Sequence, residues 1–166
     1  MKNLILGLFL FGLTTQLFAQ VIPLPEVKIE AVNYKYLNTV DTEDTDLSVK
    51  MLQEMVAKYD IRDAEIYSDE YETYTVSFFI PDGKILVAYD KDGNILRTIE
   101  RFKNVKLPMA VSKALVAKFP QWTVSKDIYK VTYNDASGMA KKMYKLKLTN
   151  AGETIRVKTD EEGNFL

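Results

Sequence analysis

The 166-residue chain carries 22 Lys and Arg against 23 Asp and Glu, a formal net charge of −1, and it contains no His and no Cys. Without imidazole or thiol there is no Ser-His-Asp or Cys-His nucleophile system, no imidazole base, and no zinc or haem site built on those ligands. A nearly balanced charge gives no global basic field for nucleic acid, and with no disulfide the fold must hold by packing alone.

Residues 1–20, MKNLILGLFLFGLTTQLFAQ, open with Lys2, continue through an apolar stretch from Leu4 to Leu13, and leave through Leu17-Phe18-Ala19. That pattern predicts a secretory signal over residues 1–19, cleaved after Ala19. The apolar core is too short for a membrane anchor, which needs about 20 residues. No Cys follows it, so a lipoprotein is excluded, and the expected location is periplasmic or secreted with no membrane span after cleavage.

Residues 20–46 read as an extended N-terminal arm. Pro23 and Pro25 oppose helix, and Val27, Ile29 and Ala31 alternate like a short edge strand. The arm ends in an acidic linker, Asp41-Thr42-Glu43-Asp44-Thr45-Asp46, in which Thr45 or Asp46 can cap the helix that follows.

That helix is predicted over Leu47–Tyr59, where Val49, Leu52, Met55, Val56 and Tyr59 recur at helical spacing. A second spans Pro108–Phe119, with a stripe of Val111, Leu115 and Phe119 and a stop at Pro120. Elsewhere the pattern has period two. It predicts strands at Ala64–Tyr67, Thr73–Ile80, Lys84–Asp90, Ile95–Phe102, Thr123–Tyr133, Met143–Thr149 and Glu153–Thr159.

The chain also aligns with itself. Tyr74–Leu96 lies on Tyr144–Leu166 without a gap at an offset of 70, with Tyr, Ile, Val, Asp, Gly, Asn and Leu coinciding. Val56-Ala57-Lys58 meets Val116-Ala117-Lys118 at an offset of 60. The expected fold class is therefore α+β: one domain, residues 47–166, made of two repeats (47–106 and 107–166). Each would comprise a helix plus antiparallel strands, with the helices packed on one face of a mostly antiparallel sheet.

With Asp82–Asn94, Leu107-Pro108 opening a helix that closes at Phe119-Pro120, and the terminal Asp160-Glu161-Glu162-Gly163-Asn164, the chain resembles the PepSY-like, β-lactamase-inhibitor-like periplasmic proteins. The resemblance covers residues 47–166. It implies a shared sheet with one face open, a periplasmic setting and no catalytic residues to transfer; inhibition of a β-lactamase does not carry over with the fold.

Other chemistry is poorly supported. An EF-hand register with Gly93 at its sixth position puts Ala88 at the first and Ile99 at the twelfth, and one on Gly163 puts Lys158 at the first. Both runs read instead as hairpin turns whose Gly takes positive φ. None of Ser48, Ser68, Ser77, Ser112, Ser125 or Ser137 has Lys three residues on, and the glycines are too dispersed to cradle a phosphate. Asp69, Glu70 and Glu72 are close enough for a carboxylate pair but read as a charged turn. No metal or cofactor is expected.

The more informative feature is the second face of the sheet. If Tyr74, Val76, Phe78, Ile80, Ile85, Val87 and Tyr89, with Tyr144, Leu146, Leu148, Ile155 and Val157, point to the helices, alternation sends Phe79, Leu86, Lys145, Lys147, Arg156 and Lys158 outward. Such a face, apolar at one end and cationic at the other, suits a protein partner with an acidic rim. Tyr67, Tyr71, Tyr129 and Tyr133 are the tyrosines left over from the core, and Trp122 is expected against the end of the second helix. The sequence thus points to a non-enzymatic binding module whose partner is a cell-envelope or extracellular protein. The alternative is a small-ligand-binding protein or a carboxylate- or metal-dependent hydrolase of the envelope.

Overall fold

The computed structural model describes residues 33–166. The expected signal segment and the alternation at Val27–Ala31 lie outside them. Six strands form one antiparallel sheet in sequence order: β1 (Thr73–Ile80), β2 (Gly83–Asp90), β3 (Ile95–Lys103), β4 (Thr123–Asn134), β5 (Met139–Asn150) and β6 (Glu153–Thr159). Among the described residues three α-helices accompany it, α1 (Tyr34–Val40), α2 (Leu47–Lys58) and α3 (Met109–Lys118). An α+β fold with an antiparallel sheet is what the two periodicities predicted.

Two local expectations are corrected. Residues 34–40, read as part of an extended arm, form α1, because Tyr36 and Val40 sit at helical spacing and both are fully buried. Residues 64–67, read as a strand, follow a 3₁₀ turn at Ile61–Asp63 and join no sheet. Only Ala64 and Tyr67 of that run pack on the core, and the run is too short to bury an alternating face. β4 and β5 are longer than predicted at the Asn134–Met139 hairpin, where the ladder continues through Ala140 and Lys141 to Met139.

One sheet face is buried. Tyr74, Ile85, Val87, Tyr89, Phe102, Val131, Leu146 and Leu148 lie on it, in one cluster with Val49, Leu52 and Val56 of α2 and Val111 and Leu115 of α3. Tyr129 and Tyr133 belong to that cluster too, which corrects their reading as left over: both are inward positions of β4. Directed bonds fix the first two helices on it. The Tyr89 hydroxyl donates to the Val56 carbonyl at 2.9 Å, and Asn33 donates to the Gly93 carbonyl while accepting from the Ile95 amide.

The two outer hairpins pair alike at an offset of 70. Tyr74 faces Tyr89 and Ile80 faces Gly83; Tyr144 faces Thr159 and Asn150 faces Glu153. The turns after them also match. Asp90 and Asp160 each accept from the backbone and side-chain amides of an Asn four residues on, and Gly93 and Gly163 take φ of 86° and 87°. Only Gly tolerates that backbone cheaply, which is why both runs carry it.

Candidate functional site

Strand alternation arranges the outward face in cross-strand rows. One row runs Ser77, Leu86, Ile99, Thr132, Lys141, and the next Phe79, Lys84, Arg101, Lys130, Met143. A third joins Lys103, Ile128, Lys145 and Lys158, and a fourth Lys126, Lys147 and Arg156. A row on the far side joins Thr75, Ala88, Arg97, Asn134 and Met139, and the face ends in Thr73 with Asp90 at one margin and Thr123, Thr149 and Thr154 at the other.

The face holds 11 Lys and Arg residues against one carboxylate, Asp90 at its margin. Asp90, the last residue of β2, is occupied with the amides of its own turn. None of the 11 cations forms an ion pair with a described residue. A chain of net charge −1 is therefore strongly polarised, with half of its cations on one face and, among the described strands, only Asp90 of the carboxylates beside them.

The predicted site residues divide into two groups on this face. Lys145, Lys147, Arg156 and Lys158 come together, lining with Lys126 and Ile128 a groove of about 530 Å³. Phe79 and Leu86 lie at the other end, on the first two strands. Phe79 is 65% exposed, with the Lys84 ammonium 5.2 Å from its ring centre, and Leu86 pairs with Ile99. Sequence reasoning missed Lys84, Arg97, Arg101, Lys103, Lys126, Lys130 and Lys141. They lie on β2 to β5, and their convergence on one face required the strand order.

Within the groove like charges oppose one another directly. The Leu166 amide donates to the Lys158 carbonyl on the outer side of β6 at 3.0 Å, so Lys158 turns its backbone groups away from β5. Antiparallel alternation then makes Lys145–Lys158 and Lys147–Arg156 non-hydrogen-bonded pairs, in which side chains stand closest. Lys126 faces Lys147 from the other side.

The carboxylates considered for catalysis stand elsewhere. Asp69 and Glu70 are exposed in the turn before β1, and Glu72 pairs with Lys91 at 3.3 Å. The conspicuous acid is Glu100 on the buried face, which accepts from Tyr36, Gln53 and Thr98 at 2.7–2.8 Å. Burial raises its pKa against the opposing pull of those donors, and burial followed by the nearby Glu100 raises that of the Tyr36 hydroxyl. Glu100 is fully enclosed, so a substrate has no route to it. Among the described residues, no group of three or more Asp or Glu is placed to hold a metal ion, and no helix is long and apolar enough to cross a membrane.

Compared with known proteins, the chain matches no family model, no curated protein and no solved structure. The outward face is therefore read from its own chemistry.

Proposed function

We propose that this chain is a secreted or periplasmic, non-enzymatic binding module, PepSY-like in build, that docks an acidic protein partner on the open face of its sheet. One observation carries the reading: Lys126, Lys147 and Arg156 stand side by side across three strands with no carboxylate among them. Like charges directly opposed on neighbouring strands destabilise a sheet, and an anionic partner relieves that repulsion on binding. Phe79, Leu86 and Ile99 add an apolar patch at the other end of the face, able to contribute roughly 1.5–3 kcal/mol for each side chain fully buried.

The build follows from an internal duplication, 47–106 and 107–166, with the helices of both copies on the buried face. Matching hairpin registers and Asp-x-x-Gly-Asn turns support it. The copies are not complete equivalents. The first lacks a counterpart of β4, and the second has only the single bridge Thr159–Phe165 where the first has β3.

The test is capture from an envelope extract by the wild-type protein, by a Lys147→Glu/Arg156→Glu variant and by a Leu86→Asp variant, all checked for equal thermal unfolding. A partner retained by the wild type, released by salt and lost from the charge-reversed form supports the module. Equal capture by wild type and double variant overturns it.

A further inference from the structure

We propose that the outer edge of β6 up to Arg156 receives an extended acidic segment of the partner as a seventh, antiparallel strand, with a carboxylate standing opposite Arg156 and in diagonal reach of Lys158. This deepens the reading of the cationic face and rests on it.

The edge comes first. Because the Lys158 carbonyl accepts on the outer side of β6, Arg156 and Thr154, two and four residues earlier, also turn their N–H and C=O groups outward. Among the described residues only Phe165, opposite Thr159, and Leu166 lie along that edge. The matching edge of β2 is filled. There Ile95 stands opposite Tyr89, as Phe165 does opposite Thr159, and β3 then runs on until Phe102 faces Gly83. A strand on β6 occupies the place that β3 occupies on β2.

Charge selects the occupant. The residues whose backbone groups face the edge, Arg156 and Lys158, also send their side chains to the cationic face, because a strand alternates both properties with the same period. A second copy of β6 would bring cations against cations, so self-pairing is disfavoured. An incoming strand with Glu or Asp at every second position sets one acidic residue about 5 Å from Arg156 and about 7–8 Å, on the diagonal, from Lys158, whose own edge position Leu166 holds. Lys145 and Lys147 stand one strand further in, roughly 10 Å away and within reach of long side chains. Anionic lipid or polyphosphate could use the cations but would leave the edge amides unpaired.

The probe is a ten-residue peptide alternating Glu with Val, compared with the same peptide N-methylated at alternate residues and with a version carrying Lys for Glu. Phosphatidylglycerol vesicles and inorganic polyphosphate serve as the other anions. Binding is measured to the wild-type protein, to Lys147→Glu/Arg156→Glu, and to Thr154→Pro, which removes one outward N–H without taking a bond from the β5–β6 ladder. The expected result has three parts. Only the unmethylated acidic peptide binds, the charge reversal and Thr154→Pro each weaken it at least about tenfold, and the amides of Thr154 and Arg156 become protected from hydrogen exchange.

Equal binding of the methylated peptide, or no edge protection, overturns strand addition. If binding is still lost on charge reversal, the cationic docking face stands. Binding of vesicles or polyphosphate without the peptide likewise overturns the seventh strand and assigns the face to another anion. No binding by any probe overturns both readings.

Discussion

The Tyr36 hydroxyl donates to Glu100 Oε1 at 2.8 Å, tying the short α1 helix to the middle of the sheet. Gln53 Nε2 reaches the other oxygen of the same carboxyl from α2, also at 2.8 Å. Two helices thus converge on one side chain. Replacing Glu100 by Ala leaves the Tyr36, Gln53 and Thr98 donors buried without a partner, and the expected loss is on the order of 3 kcal/mol. Thermal and urea unfolding of Glu100→Ala against wild type measures it. A loss below 1 kcal/mol would mean that the cluster does not anchor α1.

The same carboxyl sets a pH dependence. Burial raises its pKa in the folded protein above the unfolded value near 4.5, so the folded state holds the proton more tightly. Its contribution to stability is therefore greatest at low pH and declines as pH rises from about 4.5 through the folded pKa. Glu100→Gln, close in shape and always neutral, is expected to flatten the stability profile on the alkaline side of pH 4.5. Urea unfolding from pH 4.5 to 8 checks it, and parallel profiles for the two proteins would refute the assignment.

Asp46 works in the opposite sense. Its two oxygens accept from the amide of Ser48, at the start of α2, and from the amide of Lys106, ahead of α3. Partial burial opposes ionisation, but the hydrogen bonds from Ser48 and Lys106 outweigh it and hold the pKa below its ordinary 3.8. The stabilisation is present above pH 3.8 and is lost as pH falls through the folded pKa. Asp46→Ala is expected to cost about 1–2 kcal/mol at pH 7. The deficit should shrink in acid, and urea unfolding at pH 7 and pH 3 compares the two.

Gly93 and Gly163 share a turn geometry but differ in their neighbours. A Cβ on Gly163 would meet the Ala110 carbonyl oxygen at 2.7 Å and the Ala114 methyl at 3.1 Å, both on α3. One on Gly93 would meet nothing nearer than Asp60 Oδ1 at 3.4 Å. Gly93→Ala is expected to cost the left-handed backbone alone, about 1–2 kcal/mol, whereas Gly163→Ala adds an overpacking cost of roughly 1–3 kcal/mol against α3. Calorimetry of the two variants decides it, and equal losses would show that the turn does not pack against the helix.

These residues show what a sequence can and cannot disclose. Asp46 as a cap, the paired glycine turns and the outward course of Lys145, Lys147, Arg156 and Lys158 follow from local spacing. Glu100 does not. A charged residue at an inward strand position conflicts with the alternation of Thr98 and Phe102, and the conflict resolves only when Tyr36 and Gln53 arrive from distant segments. Tyr36 itself was hidden in a stretch whose prolines and acids suggested extension. The cationic face was half legible. The hairpins displayed four of its members, while Arg101 and Lys130 joined them through the β3–β4 pairing and Lys126 through the β4–β5 pairing, and a net charge of −1 gave no hint of the segregation.

The opposed cations carry a stability consequence that needs no partner. Lys147 faces Lys126 on one side and Arg156 on the other, so Lys147→Glu converts two repulsive pairs into two attractive ones. Cross-strand charge pairs of this kind are worth on the order of 0.5 kcal/mol each. The variant is therefore expected to unfold at a higher urea concentration than wild type at low ionic strength. Urea is required because guanidinium is itself a salt. The difference should shrink by 0.15 M salt, where the screening length falls to about 8 Å. A variant more stable than wild type yet unable to bind its partner would identify repulsion retained for function. No stability gain at low salt would mean that the lysine side chains splay apart enough to avoid one another, and the strain argument for the docking face would fail with it.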